Sequence, residues 1–91
     1  MNDQTVLVTG ASRGIGKAIA IGFANAGARV ILHYNKNNMA AEETLAEMNG
    51  DDHILIQADI SDPDAVHDMV EKLIIEVGKI DVLVKDRKSV V

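Results

Sequence analysis

Gly10, Gly14 and Gly16, within the stretch TGASRGIGKAIA (Thr9 to Ala20), are the residues of this 91-residue sequence best suited to hold a phosphate. Glycines gathered where a helix begins let backbone amides approach an anion that side chains would otherwise keep away. Two loops of that kind compete for the stretch. A nucleoside-triphosphate loop requires Gly, four spacers and then Gly-Lys-Ser/Thr, so that the lysine meets the terminal phosphates and the hydroxyl meets magnesium. Gly16-Lys17 would supply its Gly-Lys pair. Ala11, however, stands where the first glycine is needed, and Ala18 stands where the hydroxyl is needed. The other candidate, the glycine turn of a dinucleotide site, is usually spaced G-x-G-x-x-G, which differs from the spacing here. The elements around the glycines therefore decide.

Thr5 to Val8 is a short, β-branched run ending near a glycine and reads as a buried strand. From Ile15 the period changes to that of a helix, with Ile15, Ala18, Ile19, Gly22, Phe23 and Ala26 as its apolar stripe and Gly27 as its stop. Arg29 to Tyr34 is a second strand. Asn37 or Asn38 caps a second helix with Ala41, Leu45 and Met48 inward, and Asn49-Gly50 turns the chain into a third strand, His53 to Ala58. The third helix has Ser61 or Asp62 as cap, Pro63 in its first turn, Asp64 favoured by the dipole and Gly78 at its end. Its stripe is Val66, Met69, Val70, Leu73, Ile74 and Val77. Ile80 to Val84 is a fourth strand. Strict alternation of strand and helix, with right-handed crossovers, gives an α/β doubly wound parallel sheet of four strands in the order 3-2-1-4. The first two helices cover one face and the third covers the other.

The glycines thus follow a strand and open a helix within a βαβ unit of about 30 residues, which is the dinucleotide setting. There Gly10 turns the chain off the strand, Gly14 removes a Cβ where the cofactor approaches, and Gly16 lets the helix pack closely on the sheet. Amides around Gly14 and Ile15 face the pyrophosphate with the helix dipole behind them. Beyond the second strand, where a carboxylate would bind the ribose hydroxyls of NAD, the chain has Asn35 and Lys36. With no carboxylate to repel a 2′-phosphate, and with Arg13 to pair with one, the expected cofactor is NADP(H). Asp59, at the carboxyl end of the third strand, is open to two roles: accepting from the adenine amino group, or leading into the helix beside Ser61 and Asp62. His33, His53 and His67 lie on three elements and read as strand-end or surface histidines, so no metal site is expected. Glu42, Glu43 and Glu47 read as a solvated helix face.

Composition narrows the partners. Tyr34 and Phe23 are the only aromatic residues and the net charge is −5, which argues against a nucleic-acid partner. The sequence contains no cysteine, hence no disulfide and no thiolate. No apolar run reaches membrane-spanning length, and the start MNDQ lacks the basic region of a signal peptide. The expected location is the cytoplasm, without a membrane partner.

Taken with their spacing, TGASRGIG, ADISDPDAV and GKIDVLV resemble the short-chain dehydrogenase/reductase family, whose glycine motif is Thr-Gly-x-x-x-Gly-x-Gly. Within it the chain is most similar to bacterial 3-oxoacyl-acyl-carrier-protein reductases of fatty-acid biosynthesis, which use NADPH. The resemblance spans about Thr5 to Val84 and implies a truncated Rossmann-type sheet. It also implies that Gly10, Ser12, Arg13, Gly14 and Ile15 form the phosphate loop. Asn35 then lies near the 2′-phosphate, and Asp59 with Ile60 contacts adenine. After DVLV the family continues Asn-Asn-Ala-Gly, whereas this chain has Lys85-Asp86-Arg87-Lys88. The family's catalytic serine and Tyr-x-x-x-Lys pair have no counterpart, since Tyr34 is followed four places later by Asn38.

The expectation is therefore a cofactor-binding domain, residues 1–84, of an oxidoreductase, followed by a tail, 85–91, foreign to the fold through truncation or a shifted frame. Such a chain is inactive alone. The competing expectation is a non-catalytic nucleotide-binding or protein-interaction module. In either case the fourth strand is an apolar edge, which predicts self-association through it.

Overall fold

Val6, Leu7 and Val8 can be buried on both faces of a strand only if that strand runs inside a sheet with cover on each side. That is where they lie. The computed structural model describes residues 4–10, 14–36, 38–50, 52–59 and 61–84. Its elements are β1 (Thr5–Val8), α1 (Gly14–Asn25), β2 (Arg29–Tyr34), α2 (Asn38–Glu47), β3 (Ile54–Gln57), α3 (Pro63–Val77) and β4 (Val82–Val84). The sheet is parallel, in the order β3-β2-β1-β4. Val8 stands beside Leu32 and Val84, and Tyr34 beside Gln57.

Period-two alternation divides the core into two layers. Val6, Val8, Val30 and Leu32 meet Ala20 and Ala24 of α1 and Met48 just past α2, while Leu7 and Ile31 meet Met69 and Leu73 of α3. The first two helices therefore share one face and α3 has the other, as the alternation of elements requires. No helix among the described residues is long and apolar enough to cross a membrane.

The stripe expected for α1 is corrected. Ile15 is 75% exposed, and Ala18, Gly22 and Ala26 also face outward, while Ala20 and Ala24 are buried and Ile19 and Phe23 partly so. The helix is apolar nearly all round, so several stripes fit its sequence. The small residues Gly16, Ala20 and Ala24, four apart, form the face that lets the axis come close to the sheet. On α3 the expected stripe holds except at Ile74, which flanks the Met69–Leu73 line and is half exposed. On α2, Leu45 is only partly buried and Thr44 takes a core place, its hydroxyl donating to the Ala40 carbonyl at 3.0 Å. Asn37 lies outside the described residues.

Both outer strands are shorter than the apolar runs imply, and for the same reason. Before β3, the His53 ring, through Nδ1, accepts the Val30 amide at 2.9 Å in place of a backbone carbonyl. Before β4, the Asp81 carboxylate accepts the Thr5 amide at 2.8 Å, while the Asp81 amide donates to the Thr5 carbonyl at 2.9 Å. Side chains thus continue the pairing where the regular ladder stops.

Candidate functional site

The carboxyl ends of β1 and β4 meet where the winding of the sheet reverses, which is where open α/β sheets bind ligands. Thr9 closes the floor of this crevice. Its amide donates to the Val84 carbonyl at 2.9 Å and its hydroxyl to the same oxygen at 3.4 Å. The chain turns at Gly10, whose φ of +65° is in the left-handed region, and α1 is described from Gly14, whose φ is +69°. Both values favour glycine over any residue carrying a Cβ. A Cβ built on Gly14 would meet no atom within 4 Å. The space there is open, as it must be if a phosphate is to reach the first amides of α1. Ile15 projects into solvent, and Gly16 is partly buried. Ser12 and Arg13 lie outside the described residues.

The second wall is formed by the ends of β2 and β3. Asn35 and Lys36 are exposed just past β2, and the Gln57 side-chain amide donates to the Asn35 carbonyl at 2.7 Å, which holds that loop to β3. Asp59 follows β3. Its Oδ1 accepts the Ser61 amide at 3.0 Å and the Ser61 hydroxyl at 2.6 Å. The Ser61 hydroxyl, then its amide, and more weakly the charge of Lys36 hold the Asp59 carboxyl below the usual aspartate range. The residue thus shapes the turn into α3 while keeping an anionic carboxylate at the rim. The cap of α3 itself is Asp62, whose carboxylate accepts from the Asp64 amide at 3.0 Å and the Ala65 amide at 3.4 Å. Ile60 lies outside the described residues. Of the residues singled out from sequence, Gly10, Gly14, Ile15, Gly16, Asn35, Lys36 and Asp59 all fall along the carboxyl edge of the sheet.

Sequence reasoning assigned no role here to Thr9 or His33. His33 is indeed at a strand end, but it is 2% exposed rather than at the surface, and both its ring nitrogens are engaged. The available signal was its parity with Ile31 on a strand expected to be central, since a polar residue buried there needs partners. His53 stands before β3, and His67 is exposed on α3 beside Glu71 at 3.0 Å. The acidic face of α2 is solvated, although Glu47 also reaches Lys17 of α1 at 2.6 Å.

Comparison with known proteins agrees with this geometry. A family model for short chain dehydrogenase matches residues 4–86. Versicolorin reductase of Emericella nidulans is 41% identical over 85 residues, covering 91% of this chain and 32% of that protein. A 3-oxoacyl-[acyl-carrier-protein] reductase of a Synechocystis species is 40% identical over 85 residues, with 91% and 34% covered. Among solved structures, a dehydrogenase/reductase from Sinorhizobium meliloti superposes with a TM-score of 0.87 at 34% identity, covering 94% of this chain and 35% of that one. The chain spans about a third of the length of these relatives.

Proposed function

The chain belongs to the short-chain dehydrogenase family, and from that premise we propose that it is the NADP(H)-binding portion of a carbonyl reductase of the 3-oxoacyl-acyl-carrier-protein reductase type. The observation that carries the reading is the positive φ of Gly10, just past the carboxyl end of β1, and of Gly14, with open space at Gly14 before the first amides of α1. Those amides and the dipole behind them suit a pyrophosphate. The choice of NADP(H) is supported by the exposed Asn35 and Lys36, where a carboxylate would repel a 2′-phosphate, with Arg13 as its proposed ion partner. Asp59, together with Ile60, is the proposed adenine contact. Bound, the cofactor supplies a hydride. The protein's part is to hold its adenine and phosphate half, in a cytoplasmic setting.

Calorimetric titration tests this reading. NADPH should bind more tightly than NADH, and Arg13→Ala should remove most of the difference, a loss of about 1.5 to 3 kcal/mol for a charge-assisted pair. Equal affinities in the wild type would remove Arg13 and Lys36 from this role. The 91-residue chain alone should not oxidise NADPH with acetoacetyl thioesters or simple ketones. Its one tyrosine, Tyr34, has no lysine four places on, so no acid is set to protonate the developing alkoxide. Turnover above background would overturn that account. A second reading, a protein-interaction module, is favoured by the exposure of Leu83 and Ile75 and is separated from the first by absence of dinucleotide binding.

A further inference from the structure

We infer that His33 is a positioning residue, whose single buried ring holds Gly10, just past β1, and Ala58, just past β3, at a fixed separation. The inference rests on reading these segments as the two walls of a dinucleotide groove. His33 occupies the carboxyl end of β2, between β1 and β3. It shares the face of Ile31, under α3, and is 2% exposed. The Gly10 amide donates to its Nδ1 at 3.1 Å, and its Nε2 lies 2.8 Å from the Ala58 carbonyl. A backbone amide only donates and a carbonyl only accepts. Nδ1 must therefore be the bare nitrogen and Nε2 must carry the proton, which fixes the ring as one neutral tautomer.

Gly10 and Ala58 both lie just beyond the sheet's regular pairing, which ends with Val8 beside Leu32 and Gln57 beside Tyr34. One more backbone bond, from the Ala58 amide to the Tyr34 carbonyl at 3.2 Å, ties β3 to β2 there. The Gly10 amide reaches β2 through the ring, a side-chain acceptor in place of a strand carbonyl. Gly10 begins the turn proposed to meet the pyrophosphate, and Ala58 precedes Asp59, the proposed adenine contact. The ring therefore sets the distance between the two parts of the site that the adenosine diphosphate moiety must span. Walls already held at the separation seen in the bound state need not be ordered when the ligand arrives, which favours binding.

The test uses the 91-residue chain and the variants His33→Leu, His33→Asn and His33→Gln. The Asn carboxamide lies where Nδ1 lies and retains an acceptor for Gly10. The longer Gln places its carboxamide near Nε2, serving Ala58 and leaving Gly10 unserved. Imidazole nitrogen spectra of the wild type should show Nε2 protonated and Nδ1 bare; the opposite tautomer would overturn the inference. Amide exchange at Gly10 should be about tenfold faster in His33→Leu and His33→Gln and close to wild type in His33→Asn, the scale of one lost hydrogen bond. NADPH dissociation constants should follow the same order, weaker for Leu and Gln and largely restored by Asn, at temperatures where unfolding curves show all variants folded. A residue that merely fills the core would track thermal stability and would not separate Asn from Gln. Unchanged Gly10 exchange in His33→Gln, or in His33→Leu where it folds, sinks the tether. Wild-type protein binding neither NADPH nor NADH sinks the dinucleotide reading instead, and Gly10 exchange still decides the tether.

Discussion

Gly14 carries two separable demands. Its φ of +69° lies where a side chain costs about 1 to 2 kcal/mol, whatever surrounds it. The position of its missing Cβ is open, so a methyl group there meets nothing in the protein. Gly14→Ala should therefore lower stability in urea by about 1 to 2 kcal/mol, from backbone strain alone. It should weaken NADPH more than that strain explains, because the methyl group enters the space read as the phosphate's. Unfolding in urea and titration of the folded protein measure the two effects separately. An unchanged dissociation constant would make Gly14 a turn residue and nothing more. The glycines were legible because their chemistry is local: strand, turn and helix start lie within one short stretch. His33 was not, because its role depends on Gly10, 23 residues before it, and Ala58, 25 residues after it, and only the parallel register brings the three together.

At the scale of elements, punctuation was read more faithfully than faces. Asp62, Pro63 and Gly78 bound α3 as expected, and β2 spans Arg29 to Tyr34, the bounds expected for the second strand. The buried face of α1 was misjudged because alanine, glycine and isoleucine occur all round it, so period alone selects no unique stripe. Removing the α3 cap with Asp62→Ala should cost about 1 kcal/mol in unfolding free energy, since two first-turn amides lose their acceptor. Asp81 gives a pH signature at the other end of the same crossover. The Thr5 amide, with help from Lys79 at 3.3 Å, holds its carboxyl below the usual aspartate range against some opposing burial. A depressed folded value means the carboxylate stabilises the fold above the ordinary aspartate range, near about pH 4, and that this contribution disappears as pH falls through the folded value. Asp59 contributes acid sensitivity of the same sign. The Asp81→Asn protein should therefore melt lower than wild type near neutrality and lose less on acidification, so that the two melting curves converge in acid. Parallel decline across the acid range would mean that the Thr5 contact does not depend on charge.

For the molecule as a whole, the order β3-β2-β1-β4 makes β4 an outer strand among the described residues, and the face it offers is apolar. Leu83 stands in register with Leu7, which α3 buries to 3% exposure, yet Leu83 itself is 48% exposed, beyond the cover that α3 gives the middle of the sheet. Ile75, on α3, is more exposed still. A row of backbone amides and carbonyls on an outer strand beside such side chains is the usual setting for strand addition between chains. Two copies related by a twofold axis would pair β4 with β4 in antiparallel fashion and bury both Leu83 side chains at once. The other outer strand, β3, is a weaker candidate, since Ile54, Leu55 and Ile56 are each partly covered by the helices and Gln57 ends it with a polar group already bonded to Asn35. The 91-residue chain should therefore scatter light as a dimer at micromolar concentration, and Leu83→Lys, which places a charge on the exposed side of the strand without touching the buried residues, should return it to monomer. Wild-type protein that remains monomeric would show that the β4 edge is covered within the chain itself. A dimer indifferent to Leu83→Lys would move the interface to another face.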